Sequence, residues 1–223
     1  IVRIYDVYVK EDDTLQRQDK IIMNIINKAI EHNEFDADNF TTAEFTYILG
    51  KYIYENADRE RSFLASAYIH NVPVYISTFK DSSLALDLIP LRLMDRLFLV
   101  DAVREIIEHA SIIYASKSNG ALEIGGGVPK NTVQQTGPIL DQILRLNHGG
   151  LDYIIQLTDA RPDSGGLSGA TLQEGKSWGK VKTSHANLVT VYGDASITFP
   201  LLCLYAISEC EPRRSKELYT KRK

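Results

Sequence analysis

The sequence predicts an α/β fold, a parallel sheet with helices on both faces, and three observations carry that prediction. From residue 72 onward short β-rich runs alternate with helical stretches. Those runs are apolar without strict alternation, as strands buried on both faces are. Polar or glycine-rich turns fall directly after the runs, at one end of the expected sheet. With 223 residues, 44% of them apolar, the chain is long enough for one sizeable core. We therefore expect a single domain over 1–223, helical over 1–70 and sheet-forming over 72–210.

The elements follow in order. In "DTLQRQDKIIMNIINKAIEHNEF" the residues Ile21, Ile22, Ile25, Ile26 and Ala29 recur at spacings of three and four, which predicts an amphipathic helix. "NFTTAEFTYILGKYIYEN" opens with the capping box Thr41 and Glu44 and carries Phe45, Ile48, Leu49 and Ile53 on one stripe. A third helix is expected over "DRERSFLASAYIHN". Then come "VPVYIS" as a strand, "LMDRLFLVDAVREIIEHA" as a helical stretch, and "SIIYA" and "ALEIGGG" as β runs. "NTVQQTGPILDQILRLNH" reads as helical, "DYIIQLTD" and "LVTVYGDAS" as strands. "FPLLCLYAIS" closes the series, and the apolar segment that holds Cys203 and Cys210 reads as a helix.

Composition narrows the function classes. A net charge of −4 gives no sign of a nucleic-acid binder, since a surface that tracks phosphates carries a basic excess. The basic tail "RRSKELYTKRK" reads as a solvated terminus. Two cysteines imply no disulfide; free thiols in a reducing compartment are expected, and a cytoplasmic location with them. No apolar run approaches the roughly 20 residues of a membrane span, and no signal peptide opens the chain. Ile1 is not a methionine, so the natural chain is expected to start earlier. No metal is expected, because the five histidines form no ligand-spaced set and C-x-x-C is absent. No G-x-S-x-G elbow marks a serine hydrolase.

Four turns line the expected cleft: "DSS" at 81–83, "GGG" at 125–127, "TDARPDSGGLSGAT" at 158–171 and "GDAS" at 193–196. The triple glycine lets a backbone approach a ligand, yet it is not the G-x-G-x-x-G fingerprint and serves a tight turn equally well. Asp194 could accept bonds from a ribose or cap the helix that follows. The segment 158–171 is long enough to be functional, and polar enough to be disordered. In "EGKSWGK", Lys180 follows Trp178, the chain's only tryptophan. A lysine supplied as neutral amine forms an imine with a carbonyl; the alternative is a cation ending a surface turn.

"EIGGGVPKN", "DYIIQLTDARPDSGGLSGAT", "SWGK" and "VYGDASITFPLL", in this order, resemble the carboxyl-terminal two-thirds of deoxyhypusine synthase and its bacterial relatives. The resemblance runs from near residue 1 to about 210 and is most specific over 123–200. It implies a Rossmann-like, NAD-binding α/β fold and a transferase acting on spermidine or a related polyamine. In that family NAD takes a hydride from spermidine and 1,3-diaminopropane leaves. The 4-aminobutyl fragment, held as an imine on a lysine, then passes to an acceptor amine. The acceptor is a protein lysine, giving hypusine's precursor, or putrescine in homospermidine synthase. A catalytically silent NAD- or polyamine-binding homologue is the reading from another class.

Carried over by motif, the resemblance makes Lys180 the catalytic residue. It puts Glu174, Trp178, Asn131 and Gly165 on the substrate side. Asp81, Ser83, Gly126, Thr158, Asp159, Asp163, Ser168, Asp194 and Ala195 fall on the NAD side. A homotetramer is implied as well. Three positions depart from the eukaryotic pattern: Asn131 stands where a histidine is expected, and Leu167 and Leu86 where acids are, with Asp87 next to the latter. An amide cannot act as a base near neutral pH, and lost acids weaken polyamine binding. The pattern is nearer to the bacterial branch, for which a small amine acceptor is plausible. The family's amino-terminal third, with a further NAD loop, has no counterpart in these residues, so weak NAD binding is expected.

Overall fold

The computed structural model describes residues 1–4, 6–56, 62–182 and 187–222. It divides into two compact units, residues 1–105 with 216–220 and residues 106–215 with 221–223.

The first unit opens with an antiparallel hairpin of β1 (Val2–Ile4) and β2 (Val7–Val9), where a helical start was expected. Helix α1 (Glu11–Glu31) has Glu11, Asp12 and Asp13 in its first turn, where acids suit the helix dipole. It buries Ile22, Ile25, Ile26 and Ala29, while Ile21 at the edge of the stripe stays exposed. Helix α2 (Thr42–Asn56) begins with the expected box: Thr41 N–H donates to Glu44 Oε2 (3.0 Å) and Glu44 N–H to Thr41 Oγ1 (3.4 Å). Phe35, Phe40, Phe45 and Phe79 then meet as tilted and edge-on rings with centroids 4.9–6.0 Å apart, the centre of this unit's core.

Helix α3 (Phe63–Ile69) is capped by Ser62, and the part of the third predicted helix at 58–61 lies outside the described residues. "VPVYIS" is not a strand. It is tied by threonines of α2 instead of a ladder: Thr46 Oγ1 donates to Val74 O (2.7 Å) and Ile76 N–H to Thr42 Oγ1 (2.8 Å). A 3₁₀ turn (Phe79–Asp81) and the short α4 (Ser83–Leu86) and α5 (Ile89–Leu93) follow.

The division between the units falls inside α6 (Ala102–Tyr114). "SIIYA" therefore ends a helix and is not a strand. Ser111 and Ser116 hydroxyls bond back to the carbonyls of Ile107 and Ile112, four residues earlier, as helical serines do. In the second unit β3 (Gly120–Ile124), β4 (Tyr153–Thr158) and β5 (Asn187–Tyr192) form the predicted parallel sheet, in the order β3-β4-β5, flanked by helices. Leu122 pairs with Ile155, and Ile155 with Val189. One face carries Glu123, Ile154 and Gln156 into the core of Leu151, Ile154, Leu172 and Val181; Leu122, Ile124 and Val189 on the other are about half exposed.

The β3–β4 crossover holds α7 (Gly127–Gln134), the short α8 (Thr136–Pro138) and a π-helical turn (Ile139–Ile143). The β4–β5 crossover holds a 3₁₀ turn (Pro162–Ser164), α9 (Gly166–Gly169) and α10 (Leu172–Ser177), so the loop at 158–171 is ordered. "FPLLCLYAIS" lies within helix α11 (Ala195–Glu209), and Cys203 and Cys210 are free thiols. The tail is exposed over 211–217 as expected, but Arg222 is buried, with Nε 3.1 Å from Glu108 Oε2. A cation removed from water needs such a partner.

Candidate active site

Lys180 owes its place to the way α10 ends. Thr171 starts that helix by accepting the Glu174 N–H (3.1 Å). Beyond the C-cap residue, Trp178, Gly179 takes φ +69°, a left-handed conformation that costs glycine nothing. Gly179 N–H donates to Lys176 O (3.1 Å) and Lys180 N–H to Gly175 O (3.0 Å), the paired bonds of a Schellman motif. The turn hands Lys180 to an isolated parallel bridge between Leu151 and Val181 just ahead of β4, where its carbonyl accepts the Leu151 N–H (3.1 Å). Gly137 packs directly on this turn: a Cβ there would sit 2.4 Å from Gly179 O and 3.3 Å from Lys180 Cα.

The Lys180 side chain is half-buried, and its Nζ donates to Asn131 Oδ1 on α7 (2.7 Å). Beneath this pair lie three buried polar groups that the spacing of the sequence did not single out. Glu123 is 6% exposed, and its Oε1 accepts from Gln134 Nε2 (2.6 Å) while Oε2 has no partner. Burial pushes the Glu123 carboxyl up, against the Gln134 bond and the charges of Lys130 and Lys180, which hold it down. Lys130, also 6% exposed, donates through Nζ to Ala170 O (2.6 Å). Burial lowers its pKa; Glu123 opposes this, Lys180 adds to it, and Glu174 opposes it. A charged residue inside an otherwise apolar strand, "ALEI", is the one sequence signal that could have marked Glu123.

Glu174 and Trp178 belong to the same α10 turn and are solvent-exposed, Trp178 at 61%. The sheet's carboxyl end gathers most of the remaining candidates. Gly126, between β3 and α7, is in contact with Ser168: an added Cβ would lie 2.6 Å from Ser168 Cα. Buried Gln156 ties that turn to the loop, donating through Nε2 to Gly125 O (3.0 Å) and Ser168 O (3.3 Å). Thr158, at the end of β4, is buried, and its carbonyl accepts the Gly193 N–H (3.0 Å). Asp159, Asp163 and Gly165 are exposed on the 158–171 segment, with Leu167 43% exposed beside them. Asp194 caps α11, whose first residue is Ala195: its Oδ1 accepts the Ser196 N–H (2.8 Å), and hydrogen bonding by the Ser196 side chain first, then by this backbone N–H, holds the carboxyl below its usual range. Asp81 and Ser83 lie in the first unit, as do exposed Leu86 and buried Asp87.

A dinucleotide suits this strand-end geometry. Helix α7 begins directly after a glycine turn in which a Cβ added at Gly125 would meet nothing within 4 Å, Thr158 ends β4, and Asp194 follows β5. Among the described residues no group of His, Cys, Asp and Glu could hold a metal ion, and no helix is long and apolar enough to cross a membrane.

Comparison with known proteins agrees with the motifs. The deoxyhypusine synthase family pattern matches residues 1–206. The chain is 38% identical over 230 residues to a deoxyhypusine synthase-like protein of Nostoc punctiforme, covering 99% of this chain and 57% of that protein. It is 36% identical over 200 residues to "Probable deoxyhypusine synthase 2" of Methanosarcina acetivorans, covering 90% of this chain and 55% of that one. The chain thus spans little more than half the length of these curated relatives. The fold is similar to that of a solved Entamoeba histolytica protein assigned as a deoxyhypusine synthase, with a TM-score of 0.63 at 16% identity over 96% of this chain and 60% of that one. A family match that covers nearly every element from β1 to α11, together with identity in the high thirties, leads to one conclusion: the chain belongs to the deoxyhypusine synthase family.

Proposed function

We propose that this protein transfers the 4-aminobutyl group of spermidine, or a related polyamine, to an acceptor amine through an imine on Lys180. The observation that supports this most is the Lys180 turn: a half-buried primary amine, held at its backbone by a Schellman motif and at Nζ by Asn131. A lysine fixed at both ends is poised to attack one carbon rather than to wander in solvent. Asn131 accepts a proton bond without competing for the proton itself, so it orients Nζ and leaves base chemistry to other groups.

NAD, held by the turn at Gly126 and Ser168 and by Thr158, Asp163 and Asp194, with Asp159 and Ala195 beside them, would supply the hydride acceptor for spermidine oxidation. Glu174 and Trp178, exposed at the mouth of the Lys180 turn, offer an anion and an aromatic face to a polyamine ammonium. Gly165 is read as part of the same substrate side. A homo-oligomer, a tetramer in the family's manner, is supported by α11, where Ile197, Leu201, Leu204, Tyr205 and Ile207 are all more than 60% exposed. A cytoplasmic setting accords with the two free thiols.

The test is covalent trapping. Protein expressed from the complete gene is incubated with NAD and labelled spermidine, reduced with borohydride and mapped by peptide mass. An aminobutyl adduct on Lys180 is expected; reduction that leaves Lys180 unmodified overturns the mechanism. Release of 1,3-diaminopropane separates an enzyme from a silent binding homologue, the reading favoured by Asn131 and by exposed Leu86 and Leu167. Uptake of label by putrescine or by a protein lysine identifies the acceptor.

A further inference from the structure

We propose that the pocket along β3 is a binding site for a primary alkylammonium group, with the free Oε2 of Glu123 as its counter-ion. The pocket measures about 370 Å³ and is walled by β3 from Gly120 to Ile124, by Gly126 and Pro129, and by Lys130 and Val133 of α7. That volume falls within the roughly 300–1,000 Å³ of small-molecule sites. Glu123 is its one carboxylate and is more than nine-tenths buried. One oxygen is taken by Gln134, and the other is unpartnered.

A buried carboxylate oxygen without a donor is costly, and proteins rarely keep one unless something binds there. Lys130 does not bond to that oxygen, because its Nζ is directed to Ala170 O. A single carboxylate is too few ligands for a metal ion. Ala121, Leu122, Ile124, Pro129 and Val133 instead offer aliphatic walls to a methylene chain, and the unpaired oxygen suits the ammonium at its end. Glu123 also lies within electrostatic reach of Lys180. Resting on the reading given under Proposed function, the ammonium held here is that of the amine that accepts the fragment from Lys180. A free diamine and a lysine side chain share this chemistry.

Calorimetry with putrescine and with Nα-acetyl-lysine amide, on the same full-length protein and on its Glu123→Gln and Lys180→Arg variants, tests the site. Glutamine keeps an oxygen for Gln134 and removes the charge. Saturable binding is expected for the parent protein and for Lys180→Arg, weakened at least about tenfold in Glu123→Gln. Equal affinity in Glu123→Gln, or no saturable binding by the parent, overturns the proposal. The stronger of the two amines names the source. A second measurement needs no variant: the Glu123 carboxyl ¹³C resonance of the parent protein shifts on saturation with putrescine, and an unmoved resonance also overturns the site. If trapping on Lys180 fails while amine binding at Glu123 persists, the transfer reading falls and the site stands.

Discussion

The first unit closes on rings and branched chains, Phe35, Phe40 and Phe45 with Ile22, Ile26 and Leu49, whereas the second has a small apolar cluster and buries Glu123, Lys130, Gln134 and Gln156 close to its candidate chemistry. Apolar burial stabilises a fold at little risk. Buried polar groups contribute less and become costly when one partner is lost. The contrast separates a part that supports from a part that works, and it can be tested from both sides.

The largest effect is expected at Lys180. Lys180→Ala should abolish the trapped adduct and lower turnover on the order of 10⁴-fold or more. Its unfolding free energy, read by denaturant titration, should move by only about 1 kcal/mol. A comparable loss of stability would mean that Lys180 belongs to the support. In the first unit the pattern should invert: Phe45→Ala, at a fully buried ring, should cost about 3–5 kcal/mol in the same titration.

Gly137→Ala sharpens the comparison, because its new Cβ would collide with Gly179 O and shift the Lys180 turn. We expect turnover to fall about 100-fold, with a stability cost of about 1–3 kcal/mol. Unchanged kinetics would show that the turn tolerates displacement.

The first unit also has a buried acid. Asp87 is 6% exposed, and burial, with Asp19 beside it, raises its pKa to about 6. A raised carboxyl favours the folded state below the ordinary aspartate range, and that contribution is lost as pH climbs through about 6. Asp87→Asn should therefore match the parent near pH 4 and exceed it at pH 8 by up to about 3 kcal/mol, measured by unfolding at both pH values. A gain of the same size at pH 4 would remove titration as the cause. Smallest, Thr41→Ala should cost about 1 kcal/mol by opening the α2 capping box, with turnover unchanged.

Much of the fold was legible where neighbours in sequence decide it. The stripe on α1, the capping box of α2 and the three strands β3, β4 and β5 lie where periodicity and turn residues put them. The errors fall on short apolar runs. "SIIYA" is helical, and "VPVYIS" pairs with no strand among the described residues, because a few β-branched residues read alike in either conformation until their neighbours in space choose. The candidate site divides in the same way. Gly126 and Ser168 do meet, and Asp194 is the cap that one reading made it. Glu123 and Gln134 went unnoticed, since nothing local tells a buried carboxylate from an exposed one.

By itself, then, the sequence determined the α/β class and the family, both of which depend on residue type and spacing within a few turns of chain. Only the tertiary structure decided that Lys180 meets Asn131, 49 positions away, and that Glu123 is buried with one oxygen unmatched beside a pocket. Those facts depend on which distant segments exclude water from a side chain. Burial and pairing of that kind are properties of the packed chain and have no signature in the spacing of its residues.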